Sequence, residues 1–406
     1  MEKNVNFAPL KLKTMNINLI APGVSYVGVD DRRKILFENL WPIPRGVSYN
    51  SYLVEGTEAT ALIDSVEVTE IGDLVKHISQ NSASGALHYL VVNHMEPDHS
   101  GGIPELLRIY PELKIVGNNK TLEMCQGFYG VPADRMMEIK DGQILDLGGK
   151  TLQFFMTPMV HWPETMMTWL EADGILFSGD AFGGFGALNG NPLDENQDVS
   201  PFFEEIYRYY ACIVAKYGRF VQNALKKVGN LSITTICPTH CLIWRKHLKE
   251  VVDLYSRLSS WTPEKGTVIV YGTMYGNTSS MAEYLGNKVA ELTGAPVKIH
   301  AASYETMADI LADCVRYENI IIGTPTYSME LFPVIEALMR ALTVREIKNK
   351  KLCVFSSYTW APEAAMRRFD YYAEQMKMPI LARAEMRQHR LDDCKQQLDA
   401  IAQALV

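Results

Sequence analysis

Apolar residues follow two regimes along the chain. Up to about residue 255 they come as short runs separated by turns and by stretches of helical periodicity. Tyr49–Val54 and Ala59–Asp64 read as paired strands around the turn Glu55-Gly56-Thr57-Glu58. Leu87–Asn93 reads as another strand, and Ile103–Tyr110 as a helix that Pro111 ends. Further strands are expected at Lys114–Val116, Leu152–Phe155, Met167–Leu170 and Gly174–Phe177, and one long surface helix at Phe202–Val228. Hairpins interrupted by helices predict a layered α/β domain with mixed sheets.

The regime changes at Ser259-Ser260-Trp261-Thr262-Pro263-Glu264-Lys265-Gly266, a linker-like stretch. After it strands and helices alternate. Strands are expected at Thr267–Tyr271, Val297–His300, Asn319–Ile322 and Leu352–Phe355. Helices are expected at Ser279–Leu292, Met307–Cys314, Pro333–Leu342 and Ala364–Met376, and a last strand and helix follow. Regular βα alternation predicts a doubly wound parallel sheet. The expectation is therefore an α/β chain of two domains, 1–258 and 259–406, with no internal repeat or low-complexity tract.

Composition narrows the function classes. With 47% apolar and 21% charged residues among 406, each half can build its own core. A net charge of −8 argues against a nucleic-acid partner. No apolar stretch approaches the ~20 residues that cross a bilayer, and Met1–Asn6 lacks the layout of a secretory signal. Seven scattered cysteines fit reduced thiols, so a cytoplasmic location is expected. Cys237 and Cys241 form the one close pair, and no second pair completes a four-cysteine zinc site.

The candidate chemistry begins at His94-Met95-Glu96-Pro97-Asp98-His99, which directly follows the apolar run Tyr89–Val92. In extended chain His94, Glu96 and Asp98 project to one face, leaving His99 to serve a second ion. His161, Asp180 and His240 each stand near the end of a later apolar run, so seven candidate ligands suffice for two metal ions. Three carboxylates against two divalent ions leave about +1, and hard oxygen donors suit iron. A mixed histidine and carboxylate shell is also what non-haem di-iron enzymes use. The remaining histidines (77, 88, 247, 300 and 389) sit in ordinary helix or strand contexts and read as structural or solvated. Trp162, Met166, Phe182 and Phe185 lie near ligands in sequence and are candidates for a pocket lining.

The second half carries its own constellation. Gly272-Thr273-Met274-Tyr275-Gly276-Asn277-Thr278-Ser279 lies between a strand and a helix, with amides and hydroxyls suited to one phosphate. It lacks the Gly-Lys-Ser/Thr of a triphosphate loop and the three spaced glycines of a dinucleotide loop. Two later strand ends, at Gly323-Thr324-Pro325-Thr326-Tyr327 and Ser356-Ser357-Tyr358-Thr359-Trp360, bring aromatics to the same sheet edge. Tyr327, Tyr358 and Trp360 are candidates to cover a flat ring.

The pattern His94-x-Glu96-x-Asp98-His99, followed by His161, Asp180 and His240, resembles the metallo-β-lactamase fold superfamily, with Glu96 where most of its hydrolases carry histidine. The second half resembles flavodoxin, with Thr273–Thr278 as the FMN phosphate loop, although Ser356, Thr359 and Pro362 depart from the usual glycine-rich third loop. Both halves in this order resemble the flavodiiron proteins (A-type flavoproteins). That resemblance implies a metallo-β-lactamase-like αββα domain and a flavodoxin-like domain. It implies metal ligation by His94, Glu96, Asp98, His99, His161, Asp180 and His240. FMN would be held by Thr273, Met274, Tyr275, Gly276, Asn277, Thr278, Pro325, Thr326, Tyr327, Ser357, Tyr358, Thr359 and Trp360. The reaction implied is reduction of O2 to water or NO to N2O at the di-iron centre itself, with no separate acid or base assigned. A head-to-tail homodimer or dimer of dimers is implied too. With no Cys-x-x-Cys module before Val406, the expected electron source is a separate rubredoxin-like or reduced deazaflavin donor. The rival readings are a di-zinc hydrolase fused to a flavodoxin and a non-catalytic electron carrier.

Overall fold

The structure, a computed structural model, describes residues 18–406. Met1–Asn6, read above for a secretory layout, lies outside the described residues. No described helix is long and apolar enough to cross a membrane.

The first half contains two larger sheets. The seven-stranded one runs in the order Leu19–Ala21, Val24–Tyr26, Tyr52–Glu55, Thr60–Ile63, Tyr89–Val91, Lys114–Gly117 and Met136–Glu138. It begins with antiparallel hairpins and turns parallel from Thr60–Ile63 onward. The five-stranded sheet runs Ile144–Asp146, Thr151–Met156, Met166–Leu170, Ile175–Gly179 and Thr235–Pro238, and its last pair is parallel. Met166–Leu170 and Ile175–Gly179 are buried along their whole length, as strands covered on both faces are. Polar ties cross between the sheets at their ends: Thr168 Oγ1 donates to Asn93 Oδ1 over 2.7 Å, and Tyr52 OH donates to the Pro238 carbonyl over 2.6 Å.

Two expectations change here. The run Tyr49–Val54 is not one strand. Val47–Tyr49 pairs with Val29–Asp31, and Tyr52–Glu55 pairs with Thr60–Ile63. The chain breaks at Asn50 and Ser51, whose side chains bond the backbone instead: Asn50 Nδ2 to the carbonyls of Pro238 and Cys241, Ser51 Oγ to that of Asp64. The long helix Phe202–Val228 is also in pieces. Ser200–Tyr209 is α-helical, Tyr210–Val214 is a π turn, Ala215–Tyr217 is a 3-10 turn, and Gly218–Val228 is α-helical again. Carbonyls in the π turn find an outside partner. Arg345, from the second half, donates Nε to Ala211 O (2.6 Å) and Nη2 to Cys212 O (3.1 Å), with its guanidinium over the Trp41 ring. Gly218 restarts the helix where a Cβ would meet Ser259 O at 2.8 Å.

The second half is a five-stranded sheet in the order Val297–Ala301, Glu264–Tyr271, Tyr317–Pro325, Lys351–Tyr358 and Ile380–Arg387, parallel throughout. The strand order reverses beside Glu264–Tyr271, so the crevice for a ligand lies at the carboxyl ends of the strands around it. Helix Leu248–Ser259 precedes this sheet, and helix Met307–Arg316 packs against Ser200–Tyr209 of the first half. Arg208 Nε lies 2.7 Å from Asp309 Oδ1 across that contact.

Candidate metal centre and flavin cleft

The strand Tyr89–Val91 delivers His94 to the end of the first sheet. Asp64, buried at the end of the neighbouring strand, accepts hydrogen bonds from Asn93 N (2.7 Å), Asn93 Nδ2 (3.0 Å) and His94 N (3.3 Å) and so fixes the exit of the chain. Pro97 then opens a helical turn, Pro97–Ser100. That turn breaks the alternation expected for His94, Glu96 and Asp98. Asp98 rotates away from the other two and joins His99. The structure forms one group from His94, Glu96, His161 and Asp180, and another from Asp98, His99 and His240.

Asp180 faces both groups. Its Oδ2 lies 3.2 Å from His161 Nε2 and 3.5 Å from His94 Nε2, and its Oδ1 lies 3.1 Å from His99 Nε2. Glu96 Oε2 is 3.1 Å from His161 Nε2 and 3.3 Å from His94 Nε2. Asp98 Oδ2 is 3.2 Å from His240 Nε2 and 3.3 Å from His99 Nε2. Donors about 2.1 Å from one ion stand roughly 3.0–3.4 Å apart, which is the spacing found here. The donor atoms are also orphaned. Asp98 Oδ1 and Oδ2, Asp180 Oδ2 and Nε2 of His99, His161 and His240 are buried without a hydrogen-bond partner. Buried polar atoms are rarely left so. Two ions placed inside these groups would satisfy them.

The rings are held from behind. His240 Nδ1 lies 2.7 Å from the Ser48 carbonyl and His94 Nδ1 lies 2.8 Å from Glu164 Oε1, so each ring carries its proton on Nδ1 and turns Nε2 inward. Glu164 is fully buried and was missed in the sequence. Its nearness to His161 was the one signal, and its partner is 70 residues away. Tyr209 was missed as well. It is buried with its hydroxyl unpartnered, its ring 5.6 Å from that of His240. Of the expected lining residues, Trp162 packs edge-on against His94 at 5.3 Å, and Phe185 packs on Phe37 and Tyr209. Phe182 instead packs on Tyr255, and Met166 donates its backbone N–H to Asn93 O. Cys237 and Cys241 are buried thiols, pushed up by that burial, and neither joins a ligand group.

A cavity of about 740 Å³ opens onto this centre. Lys34, Phe37, Glu38, Glu67, Phe128 and Tyr129 are on its wall together with Glu96 and Asp98. Burial and the neighbouring Glu96 carboxylate push the Glu38 carboxyl up to about 7. Lys34 Nζ donates to Tyr49 OH over 3.0 Å and is paired with Glu67.

In the second half a smaller cavity lies at the carboxyl ends of the sheet. It is lined by Thr273, Met274, Tyr275, Asn277, Thr278, Pro325, Thr326, Ser357, Tyr358 and Thr359, and by Gln388, which the sequence reading did not include. Gly276, Tyr327 and Trp360 of the expected set are not on its wall. Gly276 takes φ 88°, which turns the loop into the helix Asn277–Thr293. Trp360 is 76% exposed and Tyr327 45%. The cleft suits a phosphate-bearing ligand. The helix has no side-chain cap, so its first amides lack partners, and Thr326 Oγ1 is buried without one. Thr278 Oγ1 and Ser357 Oγ, 2.9 Å apart, join the first and third loops.

Comparison with known proteins agrees with both halves. Residues 47–241 match the family model described as ODP family beta lactamase, and residues 269–400 match the flavodoxin model. The anaerobic nitric oxide reductase flavorubredoxin of Escherichia coli is 31% identical over 87% of this chain and 74% of its own length. The chain belongs to the flavodiiron protein family. Two solved structures agree with that placement. Rubredoxin oxygen:oxidoreductase from Desulfovibrio gigas superposes with a TM-score of 0.90 at 26% identity, covering 95% of this chain and 97% of that one. A flavo di-iron protein variant from Thermotoga maritima gives 0.87 at 27% identity, over 96% and 97%. This flavodiiron chain is accordingly an oxidoreductase, with a metallo-β-lactamase-like domain followed by a flavodoxin-like one.

Protonation of the metal-free centre gives a test with a definite sign. Burial alone would lower the histidines, but the Asp98 and Asp180 carboxylates raise His99 to about 9. The Asp180 and Glu96 carboxylates beside His161 raise it to about 9, and His94 is raised as well. The folded state therefore holds protons that the unfolded state releases. Their contribution is complete below about 6.5 and is lost as pH rises through about 9. Lys350, pushed down to about 7 by burial, acts with the opposite sign but is a single group. Metal-stripped protein is expected to melt at a falling temperature between pH 6.5 and 9, and metal-loaded protein, whose ligands bind deprotonated, is expected not to. A rising melting temperature of the stripped protein over that range would contradict the assignment. Glu164→Gln, which removes the carboxylate behind His94, is expected to weaken metal retention about 10–100-fold in a competition with a chelator, with the fold intact by circular dichroism. Unchanged retention would leave Glu164 a packing residue.

Proposed function

We propose that this flavodiiron protein reduces O2 to water or NO to N2O at a non-haem iron pair held by residues 1–258, with electrons from FMN held by residues 259–406. The observation that carries the reading is the pair of ligand groups turned on Asp180, with buried inward donors that lack any other partner. His94, Glu96, His161 and Asp180 would hold one iron, and Asp98, His99, His240 and Asp180 the other. The carboxylate at Glu96 favours iron over the zinc of a hydrolase. When bound, the flavin and the iron pair supply the electrons and the Lewis acidity that reduction of either gas requires.

The chain's own residues then have defined work. Both reductions consume protons and electrons in equal number, so the site needs proton-holding groups at its wall. Glu38, protonated up to about 7, and the Lys34 ammonium meet that need from the 740 Å³ cavity. Tyr209 OH, buried beside His240 with no partner, has a hydrogen bond to offer inside the centre. Phe37 and Trp162 pack on the histidine rings, with Phe185 behind Phe37, and limit water there.

Exposed apolar residues support a head-to-tail homodimer or dimer of dimers. Ile35, Leu40, Val68 and Phe128 are exposed along the segments that form the metal cavity, and Tyr275, Tyr304 and Trp360 are exposed in the flavin domain. Facing these two patches in different subunits would bring one subunit's flavin to the other's iron. A rubredoxin-like protein or reduced deazaflavin is the proposed donor, and the cytoplasm the proposed location.

The two relatives carry the two gases in their names, nitric oxide in one and oxygen in the other. Measuring anaerobic NO consumption beside O2 consumption, with one electron donor, therefore decides the preference. Asp180→Ala is expected to lower both rates at least about 100-fold, since it removes a ligand from each ion, while the bound-flavin spectrum is unchanged. Full activity in this variant would contradict the shared role of Asp180.

A further inference from the structure

The flavodoxin-like pattern expected three strand-end loops around FMN, after the strands ending at Tyr271, Pro325 and Tyr358. The cleft has a fourth wall. Gln388, in the turn between the strand Ile380–Arg387 and the helix Leu391–Gln403, lines the same cavity as Thr273–Thr278 and Ser357–Thr359. Two hydrogen bonds place this turn against the first and third loops. Gln388 N donates to the Tyr358 carbonyl over 2.7 Å, and His389 Nδ1 lies 2.9 Å from Asn277 Oδ1. Asn277 is the first residue of the helix whose N-terminus closes the phosphate loop.

Gln388 takes φ 55°, a left-handed conformation unfavourable for a residue with a side chain. Glycine would adopt it freely, so Gln388→Gly can remove the side chain without disturbing the turn. Charge adds a second argument. No lysine or arginine stands between Thr267 and Asn287, between Thr324 and Phe332, or between Ser356 and Met366. The three expected loops therefore bring neutral donors only, and the turn that carries Gln388 is flanked in sequence by Arg387 and Arg390. His389, which reads in the sequence as structural or solvated, here braces the phosphate loop.

We propose that the turn Gln388–Arg390 is a fourth flavin-binding segment, with Gln388 contacting the phosphate end of FMN and His389 positioning Asn277. The proposal rests on the reading of this cleft as an FMN site and adds to it the element that selects a phosphorylated flavin over a neutral one. Gln388 offers an amide N–H2 to a phosphate oxygen. His389 fixes the Asn277 side chain, itself on the cleft wall, by holding its carbonyl oxygen. Arg387, exposed, raises the local concentration of the anion, while Arg390 is paired with Asp393 over 2.7 Å.

The test is a titration of the flavin-stripped full chain with FMN and, separately, with riboflavin, followed by quenching of flavin fluorescence. Wild type is expected to bind FMN more tightly than riboflavin. Binding of neither flavin by wild type would overturn the FMN reading itself, and the proposal with it. Gln388→Ala is expected to weaken FMN binding about 10-fold while changing riboflavin by less than about 2-fold, the loss of one hydrogen bond to a charged group. Gln388→Gly should give the same FMN loss in a protein that melts no lower than wild type, because the strain is relieved. His389→Ala is expected to weaken FMN about 3-fold with riboflavin again unchanged. Equal weakening of both flavins would place Gln388 at the ring and overturn the phosphate assignment. Unchanged FMN affinity in both Gln388 variants would remove the fourth segment altogether.

Discussion

Asp180 is the point on which this molecule turns. It is buried at the end of the strand Ile175–Gly179, and its two oxygens face different groups of histidines. A lone carboxylate in such surroundings would take up a proton. Here the facing histidines, His94 and His99 foremost, outweigh burial and hold it well below the usual carboxylate range. The same charges raise the histidines. Such a cluster is tolerable without metal only because every charge has an opposite beside it, and its inward atoms are still unsatisfied. The sheets serve this cluster. Asp64 fixes the exit to His94, Thr239 donates to Asp180 Oδ1 over 2.5 Å, and the Ser48 carbonyl orients His240.

The second domain reaches the site through the interrupted helix. Tyr209 ends the segment Ser200–Tyr209 against His240, and the π turn starts at the next residue. Arg345 of the flavin domain binds two carbonyls of that turn while stacking on Trp41, and Trp41 Nε1 donates to Glu38, on the cavity wall, over 3.1 Å. The contact between the domains thus supports the wall of the metal cavity as well as joining two cores. A single long helix would have put Tyr209 on a regular ladder and left Arg345 no carbonyl to bind.

Much of this was legible in the sequence because the relevant signals are local. Strand after strand in the second half matches its apolar run, and all seven ligand candidates stand near the ends of such runs and come together. What local signals miss is geometry set by turns. Pro97 starts a helical turn, so Asp98 leaves the face of His94 and Glu96, and the grouping by alternation fails although all seven residues come together. Glu164, Tyr209 and Gln388 were invisible for a related reason. Each acquires its role from a partner far away in sequence, His94, His240 or the phosphate loop. Gln388 in particular sits in a positive-φ turn where polar residues are common and mean little. Tyr327 and Trp360 follow the right strands and stand exposed, off the wall of the small cavity.

The account stands on two iron ions per chain held around Asp180. Elemental analysis of anaerobically purified protein, combined with Mössbauer spectroscopy of iron-57-enriched material, tests it most directly. The account predicts two irons per chain in a spin-coupled pair that is lost together in Asp180→Ala. Two zincs, or a single uncoupled iron, would contradict it and return the site to the hydrolases whose fold it shares.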